Sequence, residues 1–385
     1  MSSGKHCPKS MNNIPLKIMI LAGEASGDMY GARLVEAMRA QEPALHFLGM
    51  GGTQMRAADV DIRVDAASVA VVGITEVLSQ LSIIMKALRT LKQALLDEKP
   101  RLLILIDFPD FNFQIAKFAK KHQIKIFYYI SPQVWAWRKS RIQTLKKTVD
   151  LMAVILPFEL ELYQKAGVPV CFEGHPLVDE VNTHRVTHQP LPHTHPCIGL
   201  LPGSRHSEIQ RLMPLLVECA EKLKISYPFA QFILPLAPTL KREDIEAYLQ
   251  HTTLPLRIVS APLPQALANC DAAIVASGTA TLEVALLALP MVIIYRVKKL
   301  SFYLGKLLIK VDHIGLCNLI AGERIVPELI QAEANSTRIV SEIRKILDNE
   351  PYRLQMKQKL GQISTRLGPQ GATQRIARAA LALIK

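Results

Sequence analysis

The chain has 385 residues, of which 49% are hydrophobic and 21% charged, a length too great for one ordinary core and about right for two domains. Its six cysteines are scattered with no C-x-x-C pair, which argues against a disulfide framework and favours a reducing cytoplasm. No apolar run is long enough to span a membrane, and the polar start of the chain does not resemble a signal peptide. The net charge of +13 indicates an anionic partner: nucleic acid, an acidic membrane surface or a phosphorylated substrate.

Short β-rich runs alternate with helical patterns along both halves of the chain. In the first half we predict strands over Lys17–Ala22, Leu45–Gly49, Arg101–Ile106, Lys125–Ile130, Leu151–Leu156 and Val170–Glu173. In the second half we predict strands over Cys197–Leu201, Gln231–Leu234, Arg257–Val259, Ala272–Ala276 and Met291–Tyr295. This rhythm is typical of α/β proteins, and it predicts two Rossmann-like, doubly wound parallel sheets that face a central cleft.

A segment rich in His, Thr and Pro separates the two halves. We therefore predict a first domain over 14–178, a linker over 179–196, a second domain over 197–367 and a final helix over 368–385. Histidines cluster in the linker, but no metal-ligand spacing recurs, so a flexible connection is the favoured interpretation. The D-x-D formed by Asp59 and Asp61 does not follow a buried strand, and we expect no metal there.

The loop after the first strand contains Glu24, Ser26 and Gly27. It resembles a dinucleotide fingerprint only weakly, because the glycine spacing is G-x-x-x-G and Glu24 is negative where a pyrophosphate would lie. The alternative is a tight turn in which Ser26 or Asp28 caps the next helix. Gly51, after the second strand, either permits close backbone approach or simply turns the chain.

Asp107 follows the fully apolar run Leu102–Ile106, so the strand delivers a carboxylate to the edge of the cleft. Pro109 favours extended backbone at Phe108, and Asp110 is placed to cap the next helix. Partial desolvation beside Phe108 would raise the pKa of Asp107 enough for it to accept a proton from a hydroxyl. Asp107 is therefore a candidate general base, with a structural role as the alternative.

Both tryptophans of the chain follow the next predicted strand. Trp135 and Trp137 are separated by one residue and precede Arg138. Two indoles beside a guanidinium form either a wall for a sugar or acyl chain, or a plug over the core.

Two loops in the second half share one pattern, in which an apolar strand runs through small residues into a helix. At the first, glycine lets an anion approach, helical N–H groups point at it, and Arg205 can pair with two phosphate oxygens. At the second, Glu283 can accept hydrogen bonds from ribose hydroxyls. The candidate residues of this nucleotide-diphosphate pocket are Gly203, Ser204, Arg205, Ser277, Gly278, Thr279, Thr281, Glu283, Tyr295 and Asn318.

Taken together, five segments resemble the lipid-A-disaccharide synthase family: Ala22–Asp28, Ile106–Asn112, Ser131–Arg138, Leu201–Arg205 and Ser277–Glu283. The resemblance implies a GT-B fold and an inverting hexosyltransferase. Such an enzyme moves diacylglucosamine from UDP-diacylglucosamine to the 6-hydroxyl of diacylglucosamine 1-phosphate, with no metal and no cofactor. The C-terminal helix would cross back to the first domain. Whether the chain forms a homodimer stays open.

The resemblance also implies roles for single residues. Asp107 would be the base that deprotonates the acceptor's 6-hydroxyl. Arg205 and Asn318 would hold the UDP-sugar, aided by Gly203, Ser204, Gly278, Thr279 and Glu283. The first-domain loops would lie on the acceptor side, through Glu24, Ser26, Gly27, Gly51, Trp135, Trp137 and Arg138.

A basic amphipathic helix gives the net charge a more specific interpretation. Apolar residues predicted to face a membrane recur at helical spacing, with Lys86, Arg89 and Lys92 on other faces; they are Val77, Leu78, Leu81, Ile84 and Leu88. Such a helix can lie on the acidic inner face of the cytoplasmic membrane, from which diacylated substrates come. The alternative is an ordinary core-facing helix with a basic solvated side.

Three other functions compete with this interpretation. A UDP-sugar 2-epimerase-like isomerase would use the same paired sheets and UDP turns without an acyl acceptor. A non-catalytic nucleotide-sugar or nucleic-acid binder would explain the charge, but aromatic residues are only 6% and no RNA-binding signature is present, so we expect no nucleic acid. A dehydrogenase would require the G-x-G-x-x-G fingerprint that the chain lacks.

Overall fold

The computed structural model describes residues 16–69, 74–132, 141–184, 195–250, 252–297 and 312–384, without the side chains of 74–80. Its strands are β1 (Lys17–Ala22), β2 (His46–Gly51), β3 (Asp61–Asp65), β4 (Leu102–Ile106), β5 (Lys125–Tyr129), β6 (Leu151–Val154), β7 (Val170–Phe172), β8 (Cys197–Leu201), β9 (Gln231–Pro235), β10 (Leu256–Val259), β11 (Ala272–Ala276), β12 (Met291–Tyr295) and β13 (Glu328–Ile330). They form two sheets, ordered β3-β2-β1-β4-β5-β6-β7 and β10-β9-β8-β11-β12-β13. Every neighbouring pair is parallel.

Helices cover the faces of both sheets. Those of the first half are α1 (Ala25–Gln41), α2 (Thr53–Ala57), α3 (Ile74–Glu98), α4 (Pro109–Lys121), α5 (Ile142–Thr148), α6 (Pro157–Ala166) and α7 (Pro176–Thr183). Those of the second half are α8 (His206–Ser226), α9 (Glu243–Glu246), α10 (Leu263–Ala266), α11 (Ala280–Leu286), α12 (Leu316–Ala321), α13 (Ser336–Asp348), α14 (Glu350–Leu367) and α15 (Ala372–Ala382). A single 3₁₀ turn over Ala66–Ser68 precedes α3 among the described residues.

The central strands explain why the sheets are buried on both sides. Every residue of β4, β8 and β11 is buried, as a parallel strand requires when helices cover both of its faces. The strand order reverses between β1 and β4 in one sheet and between β8 and β11 in the other. Ligands of open α/β sheets bind at the carboxyl ends of strands next to such a reversal. The topology therefore directs attention to four loops: those after β1, β4, β8 and β11.

The last helix returns to the first sheet. Ile376, Ala377 and Ala380 of α15 are fully buried in the cluster that α1 forms over β1, with Leu34 and Met38. The carboxylate of Asp179 in α7 accepts a hydrogen bond from the Gly371 N–H at 2.6 Å, which fixes the start of α15. Other side chains of α7 pack into the core of the second sheet. The chain thus crosses between the two sheets near α7 and again before α15.

Two strands were not predicted from the sequence. β3 lies at a sheet edge, where three of its five side chains are exposed or partly exposed acids and bases, so its apolar signal is weak. β13 has only three residues and begins with Glu328. All strands that were predicted are confirmed, and their ends differ from the prediction by at most two residues. The Asp59–Asp61 motif shows no metal-binding group: Asp59 pairs with Arg39, and Asp61 with Arg63.

Candidate active site

The loops after β1 and β4 are packed against each other at the edge of the first sheet. A Cβ atom on Gly23 would overlap the ring of Phe108, so only glycine allows this contact. A Cβ atom on Gly27 would lie 3.4 Å from the side chain of Ile106. The predicted cap of α1 by Ser26 or Asp28 is wrong, because the helix already begins at Ala25.

Asp28 has a different partner from the one expected. It is buried, and its carboxylate accepts hydrogen bonds from the N–H groups of Gly52, Gln54 and Met55 at 2.6, 2.9 and 3.1 Å. It therefore caps α2 and holds the Gly51 loop beside the first loop. No spacing in the sequence links Asp28 to this second loop.

Asp107 begins a strained turn at the carboxyl end of β4. Asp107 and Phe108 both adopt the left-handed conformation, with φ of 42° and 45°, so the extended Phe108 expected from Pro109 is wrong. The Asp107 carbonyl accepts hydrogen bonds from Asn112 Nδ2 and the Tyr128 hydroxyl, both at 2.7 Å. Asp110 lies in the first turn of α4 and pairs with Arg141, so the expected Asp110 cap is also wrong.

The environment of Asp107 favours its protonated form. Burial, and then the nearby charge of Glu24, raise the pKa of the carboxyl from 3.8 to about 6, while a hydrogen bond from the Phe108 N–H opposes the shift. Below about pH 6 the group is mostly protonated, and above it the carboxylate is a stronger base than an exposed aspartate. This is the environment that the sequence predicted for a candidate base.

Arg205 lies on the opposite wall of the cleft, after β8. Its guanidinium is 3.7 Å from the Glu24 carboxylate, and the two side chains are 64% and 50% exposed. The contact connects the loop after β1 to the loop after β8. Since Glu24 also acts on the Asp107 carboxyl, the structure brings Asp107, Glu24 and Arg205 into one cluster.

The turn before Arg205 is already occupied by a carboxylate. Glu208 Oε2 accepts hydrogen bonds from the N–H groups of Ser204 and Arg205 at 3.0 and 3.3 Å. Gly203 has a φ of +108°, and a Cβ atom there would overlap Glu208. These two N–H groups are therefore bound inside the turn, whereas the helical N–H groups of the prediction belong to α8, which begins at His206. A glutamate three residues into a helix is a capping signal, and it was present in the sequence.

The loop after β11 uses its hydroxyls internally. Ser277 Oγ donates to the Ile314 carbonyl at 3.2 Å, and Thr281 Oγ1 donates to the Gly278 carbonyl at 2.7 Å. A Cβ atom on Gly278 would meet no atom within 4 Å. Thr279 is the N-cap residue of α11, which has only seven residues. The open space at this loop therefore lies next to Gly278.

Glu283 lies deeper, between the two sheets. Burial and the nearby charge of Glu180 raise its pKa to about 7, and Arg33 lowers it in part. Arg33 of α1 in turn donates to Glu180 of α7 at 3.0 Å. Near neutral pH the Glu283 carboxyl is therefore present in both its protonated and its ionised form, so it can donate or accept a hydrogen bond.

Asn318 is completely buried and its amide is used inside the protein. Its Nδ2 donates to Glu328 Oε1 at 2.7 Å and to the Val326 carbonyl, and its Oδ1 accepts from the N–H groups of Ile325 and Val326. Direct contact between Asn318 and a UDP-sugar, implied by the resemblance, is not the role this arrangement gives it. Instead it positions Glu328.

Glu328 holds the loop that faces Ser277. Its two carboxylate oxygens accept hydrogen bonds from the N–H groups of Ile314 and Gly315 at 2.9 and 3.0 Å. The Ile314 carbonyl then accepts from Ser277, which completes a chain of contacts from β13 to the β11 loop. A single glutamate in an apolar segment carries no spacing signal, so sequence reasoning missed it. Tyr295, also proposed for the pocket, is half-buried near Arg211 and Glu208.

Comparison with known proteins assigns the family. The family model of lipid-A-disaccharide synthetases matches residues 18–382. The lipid-A-disaccharide synthase of Trichlorobacter lovleyi is 46% identical over 376 residues, covering 96% of this chain and 98% of that protein. The enzyme of the same name from Nitrosococcus oceani is 47% identical, covering 97% of both chains. The chain belongs to the lipid-A-disaccharide synthase family.

Solved structures show that this member of the family has the GT-B fold. The glycotransferase of kitacinnamycin superposes with a TM-score of 0.65 at 13% identity, covering 96% of this chain and 100% of that one. The UDP-GlcNAc 2-epimerase from Neisseria meningitidis, bound to UDP-GlcNAc, gives 0.66 at 12% identity, covering 95% and 100%. At such low identity both comparisons establish the architecture alone.

The helix expected to face a membrane is only partly exposed. Leu81 is 51% exposed, Ile84 packs partly against the core, and Leu88 is 2% exposed, so the membrane-facing prediction is wrong for Leu88. The exposed apolar side chains around Leu81 are instead Ile83 and Met85, at 43% and 41%. Leu81 and Met85 are one helical turn apart on the same face, and we call this pair the α3 patch. Over the part of the chain that the structure describes, no helix combines the length and hydropathy of a membrane span.

Several predicted residues lie outside the description. They are Trp135, Trp137 and Arg138, the side chains of Val77 and Leu78, and the linker histidines His188 and His193. Within the described ranges, His, Cys, Asp and Glu side chains form no group of three or more that could hold a metal ion.

Proposed function

We propose that the chain transfers 2,3-diacylglucosamine from UDP-2,3-diacylglucosamine to the 6-hydroxyl of 2,3-diacylglucosamine 1-phosphate. The products are the β-1,6-linked disaccharide 1-phosphate and UDP. The observation that carries this proposal is the cluster of a partly buried carboxyl, Asp107, with Glu24 and Arg205, across a GT-B cleft in a member of this family. A base on one wall and a cation on the other suit a reaction in which a hydroxyl attacks and a diphosphate leaves.

The proposed step transfers one proton and exchanges one bond at carbon. Asp107 accepts the proton of the acceptor's 6-hydroxyl, and the hydroxyl oxygen forms a bond to C1 of the donor sugar. The bond from C1 to the diphosphate oxygen breaks, and its electron pair leaves with UDP. Because the hydroxyl approaches from the face opposite the diphosphate, the configuration at C1 inverts.

Arg205 is the proposed cation for the leaving diphosphate. Its present partners are Glu24 at 3.7 Å and Glu208 at 3.9 Å, and both contacts are loose and solvent-accessible, so they contribute little. A diphosphate offers the guanidinium two charged oxygens in the geometry of a bidentate pair, which is shorter and stronger. UDP therefore replaces Glu24 as a partner of Arg205, at the open space next to Gly278.

We assign the remaining candidate residues to the donor side or the acceptor side of the cleft. On the donor side, Glu283 would bind ribose hydroxyls, and Ser204, Ser277, Thr279, Thr281 and Tyr295 would shape the nucleotide pocket. On the acceptor side, Glu24, Ser26, Gly27 and Gly51 would lie beside the sugar, with Trp135, Trp137 and Arg138. Asn318 would act indirectly, because its amide holds Glu328.

The α3 patch supports peripheral binding to an acidic membrane surface. Leu81 and Met85 are exposed on the same helix as the exposed side chains of Lys86 and Arg89. Apolar side chains that enter the lipid interface, flanked by cations that meet anionic headgroups, stabilise interfacial helices. We propose that this helix meets the inner face of the cytoplasmic membrane, where diacylated substrates are found.

A product assay tests the reaction. Purified protein is incubated with UDP-diacylglucosamine, with and without diacylglucosamine 1-phosphate, and lipids and nucleotides are identified by mass spectrometry. We expect disaccharide 1-phosphate and an equal amount of UDP, only when acceptor is present. An epimerised UDP-sugar formed without acceptor would identify an isomerase instead. Disaccharide formation by Asp107→Asn at the normal rate would remove Asp107 as the base.

A further inference from the structure

The backbone that carries Asp107 is held in an uncommon conformation. Two consecutive non-glycine residues, Asp107 and Phe108, have positive φ, although L-residues rarely adopt this region and pay free energy for it. Such a turn persists only where surrounding contacts determine it. In a β-strand that simply continued into a helix, the side chain of residue 107 would point in another direction. The contacts that stabilise the turn therefore decide where the carboxyl points.

Two buried side chains hold the turn from different elements. The Tyr128 hydroxyl, from the neighbouring strand β5, and Asn112 Nδ2, from the first turn of α4, each donate to the Asp107 carbonyl at 2.7 Å. Both side chains are completely buried. Asn112 Nδ2 also donates to the Ile106 carbonyl at 3.2 Å. Three hydrogen bonds thus fix the two peptide units that bracket the Asp107 Cα atom.

The hydrogen bonds that Asn112 Nδ2 donates orient its side-chain amide. Its nitrogen binds two carbonyls, while Asn112 Oδ1 is buried and has no hydrogen-bond partner among the described residues. Leaving a buried carbonyl oxygen without a partner costs free energy. Despite that cost, both N–H groups of Asn112 Nδ2 bind carbonyls of the Asp107 turn.

We infer that Tyr128 and Asn112 are positioning residues, which aim the Asp107 carboxyl into the cleft by clamping its carbonyl. Neither residue touches substrate in this proposal, since both act through the Asp107 backbone. The inference rests on the proposed role of Asp107 as the base. It assigns a function to two residues for which the sequence alone indicated none.

The neighbour of Tyr128 on β5 provides a matched control. Tyr129 is also completely buried, and its hydroxyl has no hydrogen-bond partner within the part of the chain that the structure describes. Because successive strand residues point to opposite faces, its ring lies on the other side of the sheet, against Tyr30. Tyr129→Phe therefore removes an equally buried hydroxyl without touching Asp107.

The test compares Tyr128→Phe, Asn112→Leu and Tyr129→Phe in the disaccharide assay. For the first two we expect kcat to fall about 10-fold to 100-fold, because small misplacements of a reacting group are costly, with the KM for UDP-sugar and the Kd for UDP unchanged. We also expect the acidic limb of the kcat/KM profile to move below pH 6, since a released carboxyl becomes more solvated and its pKa falls toward 3.8. Tyr129→Phe should match the original protein in both measurements.

Three results separate failure of this inference from failure of the proposed base. If Tyr128→Phe and Asn112→Leu keep the original kcat and acidic limb, these residues do not position the base. A lower kcat with an unmoved acidic limb also contradicts the inference, because it indicates lost packing without any change in the surroundings of the Asp107 carboxyl. Full activity of Asp107→Asn would instead refute the proposed base itself.

Discussion

Replacing Asp107 with Asn should abolish turnover and stabilise the protein at the same time. The folded state binds the Asp107 proton more tightly than the unfolded chain does, because burial and Glu24 raise the pKa from 3.8 to about 6. Ionising this carboxyl therefore costs stability as pH rises from 3.8 to 6, and the full cost remains at higher pH. Asparagine has the same shape and no charge, so it avoids that cost.

The size of the effect follows from the pKa difference. A difference of about 2 pKa units is worth ~3 kcal/mol between the two protonation states, which is the upper bound for a partly exposed carboxyl. Nearly all of it should be present at pH 8, and about half at pH 5. Asp107→Asn should thus unfold at a higher temperature than the original protein, with a larger difference at pH 8 than at pH 5.

Differential scanning calorimetry at the two pH values measures this difference, and the product assay measures turnover. Asp110→Asn is the matched control, since it removes a nearby carboxylate that lies in the first turn of α4 and pairs with Arg141. Because it removes an ion pair, it should not stabilise the protein at either pH. If Asp107→Asn is no more stable than the original protein at pH 8, or equally more stable at both pH values, the argument from Asp107 burial is refuted.

Three further predictions concern the other residues of the cleft and its surroundings. Arg205→Ala should weaken UDP binding about 10-fold to 100-fold, measured by calorimetry, because charge-assisted hydrogen bonds are lost; unchanged UDP affinity would contradict its role. Glu24→Gln should shift the acidic limb of kcat/KM to lower pH, since it removes a negative charge that raises the pKa of Asp107; an unmoved limb would argue against that coupling. Leu81→Glu should reduce sedimentation with anionic liposomes at low salt, whereas Ile225→Glu, at an 81% exposed position on α8, should not; equal losses would indicate a nonspecific effect.

The fold was predictable because its signal is carried by buried runs. Strands such as Leu102–Ile106 and Ala272–Ala276 are apolar throughout, and the connecting segments have helical periodicity. The loops after them were equally predictable, because polar residues at the carboxyl ends of parallel strands share one edge. Asp107 and Arg205 could therefore be selected from the sequence alone.

The interactions inside the loops were not predictable from local patterns. Asp28 caps a helix 25 residues further on, and Glu328 holds a loop 13 residues before it, so neither contact has a sequence spacing of its own. Helical spacing selected Leu88 for the membrane because periodicity finds the apolar face of a helix without telling what covers it. Packing against the sheet decided that face.

The return of α15 to the first sheet determines when that sheet can finish folding during synthesis. The layer over α1 is completed by Ile376, Ala377 and Ala380. Asp179 can bind the start of α15 only after residues 371–373 have been synthesised. When all seven strands of the first sheet have been synthesised, the growing chain therefore still exposes one apolar face of α1. That face stays uncovered while the entire second sheet is translated. The growing chain can thus aggregate or bind chaperones through this face of α1 until late in its synthesis, although α1 lies near the start of the chain.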